Sequence, residues 1–232
     1  MRIVRRNGWV GVLWYLFVGL HTGGAHVVSV TGQIEILSAA TSGKPGDVAN
    51  AAVWLAPLPE PGAAAEQPIR ITHSPVRMVQ KHKSFDPHVL VTQVGSAIEF
   101  PNLDPFFHNV FSLFEGKRFD LGLYEAGASR TVRFDRPGIC YLFCNIHSEM
   151  SAVIVVVDTP YFAISDRLGR ITIPEVPAGR YLLRVWYERA LPEDLATDGL
   201  VAARTGGGAV AVGEIFRRRA GDPLGAVRGS RP

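Results

Sequence analysis

Residues 144–150 read Cys-Asn-Ile-His-Ser-Glu-Met, so a thiolate, an imidazole and a thioether fall within one short segment. Upstream, residues 102–110 (NLDPFFHNV) supply a second imidazole at His108. The only methionines are Met1, Met78 and Met150, so a methionine at this offset from a Cys-x-x-His unit is not a chance expectation. Two imidazoles, one thiolate and one weak thioether are the donor set of a blue-copper electron-transfer site. Thiolate and thioether favour Cu(I), while imidazoles also suit Cu(II). A site between those preferences changes oxidation state with little rearrangement.

Other readings of the same residues are weighed beside this one. Each histidine taken alone is an ordinary surface or core residue, and Met150 alone would be a flexible gap-filler in a core. A zinc site from Cys140, Cys144 and His147 is the next candidate. On one extended strand, however, the two cysteines lie about 13 Å apart at ~3.3 Å per residue. That is too far for one metal, and it exceeds the roughly 7 Å Cα limit for a disulfide. Cys140 is therefore expected to be a buried, inert thiol. Asn109 either braces the ligand loop or is an ordinary loop residue. Asp104 and Glu149 flank the ligands and are read as solvent-facing charges. His82 and His88 offer a second metal site, against which a solvated strand edge is favoured. His26 is a thinner candidate still, as an N-terminal copper chelator after cleavage at Ala25.

Residues 76–157 resemble the cupredoxin family, which includes plastocyanin, pseudoazurin and amicyanin. The resemblance is carried by Phe85-Asp-Pro87, Val91, Val94-Gly95 and Phe100-Pro-Asn102 before the first histidine. It continues in His108-Asn109-Val110, and in Arg136-Pro137-Gly138 followed by Cys140, Phe143 and Cys144. The two-residue gap between His147 and Met150 is similar to the short, amicyanin-like ligand loop. The resemblance implies His108, Cys144 and His147 as equatorial copper ligands and Met150 as the axial one. It also implies that His147 lies at the surface in an apolar patch, for which Ile146, Pro105 and Phe106 are candidates. The implied function is an electron carrier cycling one copper between Cu(II) and Cu(I), with a cytochrome c or a dehydrogenase as redox partner. Copper binding or delivery without fast electron transfer is the alternative, and a metal-free assembly module is the third. An enzyme is not expected. The seven histidines leave no imidazole set for a substrate-binding copper, and no G-x-S-x-G nucleophile motif occurs.

A second module flanks the first. Val30-Thr-Gly32-Gln-Ile34 and Asn50-Ala-Ala52-Val53-Trp54-Leu55 resemble the opening of carboxypeptidase-regulatory-like, or transthyretin-like, sandwiches. Asp166-Arg-Leu-Gly169-Arg170 and Val176-Pro177-Ala-Gly179-Arg-Tyr181 resemble their closing half. Hairpin turns are expected at Asp166–Gly169 and at Gly179. The whole arrangement resembles exported bacterial proteins of methylamine utilisation. A single cupredoxin with strand extensions at both ends is the competing architecture.

The elements that must position these groups read as short strands. β-rich runs at 27–37, 52–58, 88–94, 97–100, 109–113, 129–134, 139–143, 152–157, 170–173 and 181–187 are punctuated by Gly, Pro, Asp and Asn. One more strand is expected at 209–216, with a loop at 59–68 and a polar, Gly-rich stretch at 190–208. The fold class is all-β: a Greek-key cupredoxin β-sandwich plus a second transthyretin-like β-sandwich. Residues 26–58 and 158–216 are assigned to the second sandwich, 70–157 to the cupredoxin and 217–232 to a disordered basic tail.

The chain of 232 residues is 47% hydrophobic and holds two cysteines, which excludes general disorder and a disulfide scaffold. Its net charge of +3 is uneven. Without the first 25 residues, 21 basic groups balance 21 acidic ones. The tail from Arg204 is basic, leaving residues 26–203 net acidic and without the footprint of a nucleic-acid surface. Arg2, Arg5 and Arg6 precede an uncharged apolar run at 9–20 and then Gly23-Gly24-Ala25. That is the order of a secretory signal at 1–25, with an uncleaved anchor as the alternative. The run is short for a membrane span, which needs about 20 residues. The expected location is periplasmic or otherwise exported, with no membrane span after cleavage.

Overall fold

The computed structural model describes residues 27–34, 49–58, 76–113, 116–189, 199–203 and 210–211. The segment expected to be a signal, His26, the 59–68 loop and the 217–232 tail lie outside them. The strand expected over 209–216 falls among them only at Val210–Ala211.

All regular structure among the described residues is β, in chain order β1 (Val27–Gln33), β2 (Ala52–Pro57), β3 (Val76–Arg77), β4 (Val79–Lys81), β5 (Ser84–Asp86), β6 (Val89–Gln93), β7 (Ala97–Pro101), β8 (His108–Ser112) and β9 (Phe119–Tyr124). It continues with β10 (Ser129–Arg133), β11 (Gly138–Phe143), β12 (Ser151–Val157), β13 (Phe162–Ile164), β14 (Arg170–Pro177), β15 (Gly179–Trp186), β16 (Gly199–Ala203) and β17 (Val210–Ala211).

The middle of the chain forms a sandwich. One sheet runs β6-β12-β11-β8-β9, the other β10-β7-β3, with β4 and β5 as a hairpin at the side. Strand alternation fills the space between the sheets. Ile98 and Phe100 point in from β7, Cys140 and Leu142 from β11, and Ala152, Ile154 and Val156 from β12. β6 pairs with β12 in parallel, and β11 with β12 antiparallel as a hairpin from Gly138↔Val156 to Phe143↔Ser151.

The two ends of the chain build a second sandwich from sheets β14-β1-β17 and β13-β2-β15-β16. Its core is Val30, Val53, Leu55, Ile171, Ile173, Val176, Tyr181, Leu183 and their neighbours, all from outside residues 76–157.

A third apolar layer joins the two. The alternate residues of β12, Val153, Val155 and Val157, face away from the first core. With Val89 and Val91 of β6 they pack on Ala52 and Trp186, and Trp54 and Phe162 add to the layer. β12 is thus covered on both faces, which is why residues 152–157 read as an unbroken apolar run rather than an alternating one. Exposing those three valines would cost about 1.5 kcal/mol or more each.

Several elements depart from the sequence reading. β9 (FDLGLY) lies outside the expected runs, and its alternation slips after the left-handed Gly122 (φ 65°), which leaves Leu123 exposed and Tyr124 buried. The β4–β5 hairpin turns on His82 and Lys83, both at φ 55°, where a two-residue turn ordinarily takes Asn-Gly. β16 lies in a stretch read only as polar and Gly-rich, and pairs with β15 from Gly179↔Ala203 to Leu183↔Gly199. The turn at Asp166–Gly169 forms, with Asp166 Oδ1 accepting from the Leu168 and Arg170 amides. It joins β13 to β14, however, which belong to different sheets. Pro177–Gly179 likewise passes the chain from β14 in one sheet to β15 in the other. Both are corners between sheets rather than hairpins. The Tyr181 hydroxyl fastens the second by donating to the Pro177 carbonyl at 2.8 Å.

Candidate metal centre

The β11–β12 hairpin forces its connecting loop to close on itself. Once Phe143 pairs with Ser151, residues 144–150 must bridge two adjacent strands. The loop is fastened inside by Met150 N–H donating to His147 O (3.0 Å) and Cys144 N–H donating to Met150 O (3.3 Å). Cys144 continues the inward-facing series of Cys140 and Leu142, so its thiol enters the core at the sheet's end. β8 lies beside β11, pairing Phe111 with Phe143, which sets His108 at the same end.

Three sequence-predicted donors converge. Cys144 Sγ is 3.8 Å from His108 Nδ1 and 3.8 Å from His147 Nδ1. The donor atoms of all three lie within 4.8 Å of one another. Donors held about 2.0–2.3 Å from a single ion lie roughly 3.3–4 Å from each other, so both sulfur–nitrogen distances suit one shared metal. His108 is fully buried, Cys144 nearly so and His147 half-buried, with the imidazole rings 4.9 Å apart. Met150 closes the loop, is 1% exposed and shares the core of Cys144. A thiolate with two imidazoles is a donor set for copper or zinc rather than for a hard cation.

Cys140 stays outside the cluster. It is buried, its thiol is free, and burial pushes its pKa up to about 11 against the pull of Arg136 and Lys117. Its side chain lies under Gly116, where an added Cβ would meet the Ile139 carbonyl oxygen at 2.6 Å. Neither His82 nor His88 belongs to the cluster. The His88 ring spans Ser151 O (3.1 Å) and Glu188 (2.7 Å) at the junction of the two sandwiches.

Asp104 corrects the sequence reading most. Expected at the solvent, it is 4% exposed, with Oδ2 2.8 Å from His108 Nε2. Its carboxylate also accepts from the backbone amides of His82 (2.7 Å) and Lys83 (2.9 Å). Burial opposes its ionisation, yet those amides and His108 outweigh it and hold the carboxyl below its ordinary pKa. Glu149, by contrast, is exposed. Asn109 does not brace the ligand loop; its amide donates to Asp120 on β9 at 2.7 Å. That work falls to Asn102, which donates to Phe106 O (2.8 Å) and accepts from the Asp104 amide (3.0 Å). The buried Tyr124, paired with His108 across β8 and β9, receives a hydrogen bond from Gln80 and donates to Phe100 O. Burial chiefly pushes its phenol up to about 12.

Phe106 also departs from expectation. Its ring packs on both imidazoles, with centroids 5.2 Å from His108 and 5.5 Å from His147, so it belongs to the wall of the site. The exposed apolar groups near it are Leu103, Phe107 and Ile146, roughly half exposed each, and Pro105. Leu103 and Phe107 lie in the 102–110 motif, where nothing in their local spacing marks them as surface groups.

No protein-family model matches the chain, and no curated protein matches it by sequence. Solved structures do. A purple cupredoxin from Nitrosopumilus maritimus is 19% identical over 35% of this chain and 99% of its own, with a TM-score of 0.32. A copper-containing nitrite reductase from Thermus scotoductus is 28% identical over 44% of this chain but only 25% of its own, with a TM-score of 0.35. A copper(I) amicyanin variant is 14% identical over 38% of this chain and 87% of its own, with a TM-score of 0.35. Among the described residues the regular structure is all β, with a His-Cys-His cluster able to hold a metal ion.

Proposed function

We propose that this chain is an exported blue-copper protein that carries single electrons. The observation that carries this reading is the convergence of two imidazole Nδ1 atoms on one buried sulfur, 3.8 Å from each. His108, Cys144 and His147 would hold the ion through two imidazoles and a thiolate, with Met150 as a weaker fourth donor. Bound there, copper supplies a one-electron Cu(II)/Cu(I) couple. The chain's own part is to hold the donors. The strand pair β11–β12 fixes the ends of the 144–150 loop, so the donor geometry does not depend on a mobile segment. Phe106 and the first core exclude water from the cluster. His147, half-buried beside Ile146, is where an electron enters or leaves, and a cytochrome c or a dehydrogenase docks over the exposed Leu103, Pro105, Phe107 and Ile146. An apolar surface there lets a partner approach without burying an unpaired charge. Residues 1–25 direct export to the periplasm. Residues 70–157 form the copper domain, inserted between the halves 26–58 and 158–216 of a carboxypeptidase-regulatory-like sandwich, whose separate core supports that division.

Visible and EPR spectra of the full chain with one equivalent of Cu(II) test the reading. An intense thiolate-to-copper absorption is expected, abolished in Cys144→Ser and retained in Cys140→Ser. Absence of the band, or equal behaviour of the two variants, overturns it.

A further inference from the structure

We infer that Asp104 is a positioning residue for the metal site, one that fixes which nitrogen of His108 is free to bind. The inference rests on the proposed copper reading and deepens it. His108 is fully buried, and its two ring nitrogens face different groups. Nδ1 looks toward Cys144 Sγ, and Nε2 toward Asp104 Oδ2. A carboxylate can only accept, so a hydrogen bond at 2.8 Å places the ring proton on Nε2. The lone pair is then left on Nδ1, the nitrogen that faces the other donors. Without Asp104, a neutral imidazole is free to carry its proton on Nδ1, where it blocks ligation.

The carboxylate is itself held. Oδ1 accepts from the His82 amide and Oδ2 from the Lys83 amide, while the Asp104 amide is tied to Asn102 Oδ1. His82 and Lys83 form the β4–β5 turn with both residues left-handed, which aims two successive amides at one anion. The turn thus acts as the outermost support of His108, through Asp104. Outer partners of metal-bound histidines orient the ring in this way, and their removal weakens metal binding about 10- to 100-fold.

The experiment uses the full chain with 15N-labelled histidine, metal-free, and copper affinity from competition with a chelator. In the wild-type protein His108 should show the Nε2–H tautomer before any metal is added. Asp104→Ala should lose that signature and bind copper about 10- to 100-fold more weakly. Asp104→Asn places an NH2 donor among three donors, so it no longer fixes the ring proton on Nε2 and should lose the single tautomer as well. If Asp104→Ala leaves both tautomer and affinity unchanged, the inference is overturned. It is also overturned if Asp104→Asn keeps the Nε2–H tautomer yet binds copper as weakly as Asp104→Ala, since charge rather than the place of the ring proton would then be what matters. If the wild-type chain gives no thiolate-to-copper band, the copper reading fails, while the tautomer comparison in metal-free protein still decides the role of Asp104.

Discussion

The two sandwiches are built by the same rule and filled differently. The second buries an apolar core beside which Thr159 and Ser165 are the buried polar residues, bonded to the Tyr161 and Ala51 amides. The first buries Gln80, Asn102, Asp104, His108, Asn109 and Ser112 as well, and several of these gather around the ligand cluster. A polar group removed from water without a partner costs about 1–3 kcal/mol, so such a concentration survives only where it is bonded or serves a purpose. The Asp104 carboxylate, with three donors, shows the first case. The difference separates a scaffold from a site: both halves fold by strand alternation, but one spends stability on holding polar groups in fixed places.

That contrast can be broken at the layer between the sandwiches. Val155 is fully buried against the second sandwich. One calorimetric unfolding transition is expected for the unaltered chain; Val155→Asp should cost ~3–5 kcal/mol, as an uncompensated buried charge does, and split or abolish it. Leu55→Ala, in the second core alone, should cost about 2–5 kcal/mol. Below its melting temperature it should keep the copper spectrum intact. A lost spectrum in Leu55→Ala would mean that the site depends on the second core.

The opposite direction is open at the β4–β5 turn. His82 and Lys83 sit left-handed at a cost of roughly 1–2 kcal/mol each for ordinary residues, while Asn and Gly bear it easily. The double change His82→Asn with Lys83→Gly keeps the two backbone amides on Asp104. Chemical denaturation should show it more stable by about 1 kcal/mol, with unchanged copper binding. A destabilised variant would indicate that the Lys83 contact over the Phe106 ring, at 5.7 Å, outweighs turn strain.

The smallest effect is expected where the sandwiches meet solvent. His88 and Glu188 pair across the junction with side chains 41% and 37% exposed. Glu188→Gln should shift stability by less than about 1 kcal/mol, and less again in high salt. A larger loss would make this pair, rather than the valine layer, the joint between the halves.

The sequence by itself determined the strands that alternate cleanly and the donors that lie close along the chain. Cys144, His147 and Met150 share one hairpin loop, so their meeting follows from local spacing once β11 and β12 pair. The unbroken apolar run of β12 is also local, although only its position between two cores explains why neither face is polar. Tertiary structure alone decided the rest. Asp104 reads as a surface charge because its neighbours in sequence are loop residues, while the amides that hold it belong to His82 and Lys83, 22 and 21 residues earlier. The turn those two residues make contradicts their local preference, and the distant carboxylate that receives their amides offsets it. Phe106 reads as a surface patch and becomes a wall, because the two imidazoles it covers come from β8 and from the 144–150 loop, far apart in the chain. Spacing along the chain fixes what one strand or one loop can present. Burial and charge depend on what folds over it, which is written elsewhere in the chain.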